Sequence, residues 1–168
     1  KKMNQGPSKE NRIRYNPYVS GLYIHFPYCV QKCSYCDFYS LGVGLKPSLD
    51  QKNLFSNYIR ELQYRISLDP SIQNISYDTI FFGGGTPSLM DPDQVDSFLR
   101  EIKNTLNLTE NLELTLEANP EDINEEKMKV WRDLGFNRIN VGIQSFQPRA
   151  LEFLERYYDF EKYESVMS

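Results

Sequence analysis

The sequence predicts an α/β fold on a parallel sheet, open or only partly closed into a barrel around a polar lumen. Three observations predict it. Short strand-like runs alternate with longer runs of helical spacing, the order of consecutive βαβ units. Two strand runs alternate apolar and polar residues, so one face packs under helices and the other meets water or a ligand, where a tightly filled barrel would place branched apolar side chains. Helices recur too regularly for the plainer alternative, an antiparallel sheet with one wet face.

The first strand reads LYIHF (22–26). Behind it Leu54, Tyr58, Leu62 and Ile66 repeat at helical spacing, with Ser48 and Gln51 placed as a capping box. DTIFF (78–82) is the second strand. Asp91 then stands where a helix cap belongs and Pro92 at the first helical position, ahead of a buried stripe of Val95, Phe98, Leu99, Ile102 and Leu106. In the third strand, LELTLEA (112–118), Leu112, Leu114 and Leu116 share one face and Glu113, Thr115 and Glu117 the other. Its helix turns Met128, Trp131 and Leu134 inward and stops at Gly135. RINVGI (138–143) sets Ile139, Val141 and Ile143 against Asn140, Gly142 and Gln144. A fourth helix is expected from near Pro148 towards the chain end. Residues 1–20 read as a polar leader and 21–168 as one core.

With 168 residues, 40% hydrophobic and 25% charged, the chain has the apolar content to bury a core. A net charge of -4 with scattered cations gives no composition-driven attraction to nucleic acid or anionic lipid. No run approaches the roughly 20 apolar residues of a membrane helix, and the start lacks the hydrophobic segment of a secretory signal. The expectation is a cytoplasmic chain with no membrane span and no nucleic-acid partner.

All three cysteines, Cys29, Cys33 and Cys36, fall in YCVQKCSYCD (28–37). An odd number argues against a disulfide framework. Thiolates bind soft metals, and the spacing leaves three readings open: an iron–sulfur cluster with one iron lacking a protein sulfur, a zinc site completed by His25, or three buried thiols. A lone strand histidine is more often a structural hydrogen-bonder, and His25 is read so. GGGTP (83–87) follows the second strand. Glycines cost backbone entropy, so packing does not account for them; they allow a turn with φ > 0 or close approach of a ligand to the main chain.

CVQKCSYC (29–36) has the CxxxCxxC pattern of the radical S-adenosylmethionine family. Together with LYIHFPYC, FFGGGTPSLM, LEANPED and INVGIQSF, it resembles the haem-chaperone branch of the oxygen-independent coproporphyrinogen III oxidase-like proteins. The resemblance implies a partial (β/α)6 barrel. It implies that Cys29, Cys33 and Cys36 hold a 4Fe-4S cluster whose remaining iron is chelated by the amino and carboxylate groups of S-adenosylmethionine. Tyr35 would lie beside the adenine, Gly84, Gly85 and Thr86 at the methionyl amino group, and Tyr23, Glu117 and Gln144 near the cofactor. Arg156 would pair with a cofactor carboxylate, a task suited to a planar bidentate donor. Read without the family, Tyr35 shields its loop, the glycines make a plain turn, and Arg156 is a solvated helix arginine beside Glu152 or Glu155.

Two positions speak to the branch. The porphyrinogen-oxidising branch has a further cysteine two positions after the third, where this chain has Phe38, as in the haem chaperones. Those usually show Arg-x-His after the fourth strand, where this chain has Tyr158. The resemblance further implies two more strands and a C-terminal domain, so these are about the first four βα units of a longer protein. The implied partners are haem or a porphyrin, an unnamed haem acceptor and an unnamed electron donor. An oxygen-independent coproporphyrinogen III oxidase, working through a 5′-deoxyadenosyl radical, and a zinc-held structural module are the competing readings, and whether the chain is an enzyme is left open.

Overall fold

The computed structural model describes residues 19–44 and 51–156. The leader up to residue 18, Ser48 and Tyr158 lie outside them. Four parallel strands form the main sheet: β1 (Val19–Phe26), then, after a small parallel pair β2 (Tyr28–Cys29) and β3 (Leu41–Gly42), β4 (Ser76–Gly84), β5 (Asn107–Ala118) and β6 (Arg138–Val141). Their spatial order, β1-β4-β5-β6, follows the chain. Helices α1 (Gln51–Leu68), α2 (Pro92–Thr105) and α3 (Glu125–Asp133) make the crossovers, and α4 (Pro148–Phe153) follows β6. Neighbouring order with one helix per crossover is the signature of barrel units, as the alternation predicts.

The core fills the space between sheet and helices. Ile24 and Phe26 of β1, Ile80 and Phe82 of β4 and Leu114 and Leu116 of β5 are buried against Phe55, Val95, Phe98, Leu99, Ile102 and Trp131. Full burial of side chains such as Ile80 and Phe82 is worth about 1.5–3 kcal/mol each. The opposite face carries Tyr23, Phe81, Thr115 and Arg138 in one cross-strand row, with Glu113 bonded to Arg138 at 2.8 Å. Phe81 makes that face less polar than expected, because its ring stacks on Tyr23 at 6.1 Å.

Helix ends follow the expected chemistry. The Asp91 carboxylate accepts from the N–H groups of Asp93 and Gln94. Gly135, at φ 99°, closes α3 with two bonds, its own N–H to Arg132 O and that of Phe136 to Trp131 O. That is the Schellman arrangement, and its apolar contact is the Trp131–Phe136 ring pair at 5.5 Å.

Four expectations need correction. Gln51 makes no described cap, because its amide spans to the next crossover, donating to Leu89 O and accepting from Asp91 N at 2.7 Å. β5 begins at Asn107, since the polar run before Leu112 pairs with Ser76 and Tyr77 ahead of a register shift. β6 ends at Val141, where the chain turns through Gln144, at φ 66°. The fourth helix stops at Phe153: Glu155 takes φ 54° and another Schellman pair, Glu155 N to Glu152 O and Arg156 N to Leu151 O, reverses the chain.

Candidate cofactor site

A cavity of about 850 Å³ opens at the carboxyl ends of β4, β5 and β6, where open α/β sheets gather ligands. The sulfur side is built by a closed excursion. β2 and β3 pair at its base, with Leu41 N bonded to Pro27 O, Val43 N to Cys29 O and Gly44 N to Val30 O, so residues 30–40 project as one loop. Cys29 is buried in β2; Cys33 and Cys36 are half-buried, their turn fixed by Cys36 N to Cys33 O at 3.1 Å. All three line the cavity together with Tyr35 and Phe38.

The facing wall is the glycine loop. Gly85 N donates to Phe26 O and Thr86 N to Tyr28 O, at 2.6 and 2.8 Å, which fastens the loop to the start of the cysteine excursion. Gly84 takes the positive φ that the glycine run anticipates, while Gly85 overturns the expectation that packing plays no part. A Cβ on Gly83 would come 2.7 Å from Phe81, on Gly84 2.5 Å from His25, and on Gly85 2.6 Å from Tyr28 O. Gly85, which faces two backbone carbonyls, is therefore demanded by packing within the chain, whereas Gly83 and Gly84 face the side chains of Phe81 and His25. Gly84 additionally holds φ 114° and donates its N–H to Glu117 Oε2 at 3.1 Å.

Glu117, Asn119, Asn140, Gly142 and Gln144 form the third wall. Arg156 closes it. Reversed by the turn at Glu155, its guanidinium reaches Asn119 Oδ1 at 2.7 Å, Gly142 O at 3.2 Å and Cys33 Sγ at 3.6 Å. It is not the solvated helix arginine that its glutamate neighbours suggested. Asn119, which the sequence reading passed over, also donates to Thr86 Oγ1 at 3.4 Å. The signal for it was present: it continues the two-residue alternation of Glu113, Thr115 and Glu117 past the strand end.

Of the predicted site residues, Cys29, Cys33, Cys36, Tyr35, Gly84, Gly85, Thr86, Glu117, Gln144 and Arg156 share the cavity. Tyr23 is not among the lining residues; its hydroxyl donates to His25 Nδ1 at 3.1 Å, and burial, then the Glu117 carboxylate, push its pKa up. His25 Nε2 bonds Tyr39 O at 2.8 Å. A carbonyl only accepts, so the proton sits on Nε2 and Nδ1 accepts from Tyr23. With both ring nitrogens engaged, His25 is a structural joint. Among the described residues no three His, Cys, Asp or Glu side chains converge on one metal-ion position. Thiolates that each bind a separate iron have no need to do so.

The donor set fits a thiolate-held cluster with a nucleotide beside it. Three sulfurs stand on one loop, and the cavity has the size of a small-molecule site. Ser40 lines it with a buried Oγ that pairs with no atom of the described residues, a polar atom of the kind a bound group satisfies.

Residues 23–168 match the Radical SAM superfamily. The chain is 38% identical over 148 residues to the haem chaperone HemW of Haemophilus influenzae, covering 88% of this chain and 38% of that protein. It is 35% identical over 147 residues to HemW of Buchnera aphidicola from Schizaphis graminum, covering 88% and 37%. The chain thus spans little more than a third of these relatives. Among solved structures it resembles coproporphyrinogen III oxidase (HemN) from Escherichia coli, described as a radical SAM enzyme, with TM-score 0.68 and 22% identity over 88% of this chain and 33% of that one. At that identity the likeness is one of fold.

Proposed function

This chain belongs to the radical SAM superfamily, and from that premise we propose that it is the cofactor-binding part of a haem chaperone, which receives haem and passes it to an acceptor protein. The family implies a 4Fe-4S cluster and S-adenosylmethionine. In this reading Cys29, Cys33 and Cys36 hold the cluster, and Gly84, Gly85, Thr86, Glu117, Gln144 and Arg156 receive the nucleotide, with Tyr35 beside its adenine and Tyr23 supporting the Glu117 wall. The carrying observation is the convergence of these residues, Tyr23 apart, from five separate chain segments on one cavity. The names of the similar proteins support the haem role, and Phe38, two positions after the third cysteine, supports the chaperone branch over the oxidase branch. In this proposal residues 21–168 act as one core, joined by Val19 and Ser20, which the sequence assigns to the leader and the structure to β1.

When bound, the cluster and nucleotide supply one-electron cleavage of a sulfonium carbon–sulfur bond. The chain's own residues bind and orient them: Glu117 fixes the glycine loop through Gly84 N, and Asn119 holds Thr86 and Arg156 in register. The thiols need a reducing compartment, and we place the protein in the cytoplasm on that ground. No described helix is long and apolar enough to cross a membrane.

Anaerobic reconstitution with iron and sulfide tests the cluster, and haem titration tests the cargo. The expected result is a brown protein with labile sulfide that binds haem and converts no coproporphyrinogen III. A colourless zinc protein without sulfide refutes the cluster. Release of 5′-deoxyadenosine together with decarboxylated porphyrinogen would make it an oxidase instead.

A further inference from the structure

We propose that Arg156 tunes the iron–sulfur cluster: its guanidinium donates an N–H···S hydrogen bond to the Cys33 thiolate and, through its fixed charge, raises the potential at which the cluster is reduced. This rests on the assignment of the three cysteines to a cluster. It is distinct from pairing with a nucleotide carboxylate, since the contact is made to a cysteine sulfur of the chain itself.

The geometry is specific. Arg156 Nη1 lies 3.6 Å from Cys33 Sγ, a hydrogen-bond separation for the large sulfur atom. Nη2 of the same fork is held by Asn119 Oδ1 at 2.7 Å and Gly142 O at 3.2 Å. Two acceptors on one nitrogen leave the planar group little rotational freedom, so the other nitrogen is aimed. The backbone contributes as well: Arg156 reaches the cavity only because Glu155 takes φ 54° and Arg156 N closes on Leu151 O. A glutamate held in the left-handed region costs about 1 kcal/mol or more, and what the turn delivers is this guanidinium.

The other charges near the cluster loop do not substitute for it. Lys32 lies on the loop but sends its ammonium to Phe38 O. Asp37 and Glu117 line the cavity with charge of the opposite sign. Reduction adds one electron, and therefore one negative charge, to a group already anionic through its thiolates. A cation hydrogen-bonded to one of those sulfurs stabilises the reduced form more than the oxidised form, and potentials in this class of cluster respond to hydrogen bonds at sulfur and to net charge. In the proposed step the electron comes from the chemical reductant, no bond breaks and no proton is required.

The test is a potentiometric titration of the reconstituted chain without S-adenosylmethionine, using dithionite and low-potential viologen mediators, with the reduced cluster followed by electron paramagnetic resonance. Arg156→Met is expected to shift the midpoint to more negative potential at full iron and sulfide content. Arg156→Lys should fall between it and wild type, because an ammonium keeps the charge and loses the fork. Arg149→Met, at an exposed position of α4, should leave the midpoint unchanged. Full cluster content in Arg156→Met with the wild-type midpoint overturns the proposal. If that variant takes up no cluster, Arg156→Gln is read in its place, and an unchanged midpoint there overturns it equally. Wild-type protein that binds no iron and sulfide removes the cluster assignment and the tuning together, and metal analysis separates that failure from an unchanged midpoint.

Discussion

Individual residues in this site have separable duties. Cys33 has two, because its sulfur serves the cavity and receives Arg156. Cys33→Ala should abolish the brown chromophore on anaerobic reconstitution, with nucleotide binding lost alongside; unchanged visible absorbance would remove the assignment. Gly85 has a duty to the fold besides the one proposed at the nucleotide. A Cβ there meets two carbonyl oxygens of the chain itself, Tyr28 O at 2.6 Å and Phe26 O at 2.8 Å. Gly85→Ala should therefore lower stability by about 1–3 kcal/mol, as overpacking does, in denaturant unfolding of the cluster-free chain. Wild-type stability with weakened nucleotide binding would reinstate the ligand-approach explanation. The cysteine spacing was legible in the sequence because covalent chemistry needs those atoms. The packing demand at Gly85 was not, because the colliding carbonyls belong to residues more than 50 positions away in the chain.

At the scale of elements, the turns that end helices set where the site residues point. Gly135 closes α3 with φ 99° and lets Phe136 pack on Trp131. Gly135→Ala should cost about 1–2 kcal/mol in unfolding free energy, the penalty for a side chain in the left-handed region. The corresponding position after α4 is Glu155, which carries no sequence signature of a helix stop. Residues 148–156 read as an uninterrupted helix for that reason, which, without the family resemblance, puts Arg156 on a solvated side. Two loops are also clamped together: buried Ser88 donates to Asp122 Oδ2 at 2.7 Å, and Lys127 pairs with Asp122 Oδ1 at 3.3 Å. These loops carry Thr86 and Asn119 into the cavity. Ser88→Ala should weaken nucleotide binding several-fold by calorimetry while the cluster spectrum is retained; equal affinity would show the clamp to be structural alone.

At the scale of the whole molecule, one acid-sensitive contribution to stability lies on the open face of the sheet. Arg138, then Thr115, hydrogen-bonds the Glu113 carboxylate and pulls its pKa below the usual value of 4.5. A depressed carboxyl contributes stability that is present above its unfolded pKa and lost as pH falls through the folded one. The loss therefore begins below about pH 4.5. Because Glu113 is partly exposed, the contribution is small; Glu113→Gln should flatten the stability profile below that pH in thermal melts, and an unchanged profile would place the acid sensitivity elsewhere. Local pattern was enough for the βαβ order, the apolar faces of the third and fourth strands, the caps at Asp91 and Gly135 and the cysteine spacing. Each of these depends on neighbours within a few residues or on a fixed period. No local pattern fixed that Gly85 packs against the Phe26 and Tyr28 carbonyls, that Asn119 holds Thr86 and Arg156, or that a left-handed Glu155 turns Arg156 onto Cys33. Those contacts join segments far apart in sequence, and their free energy exists only once the sheet has brought the strand ends together.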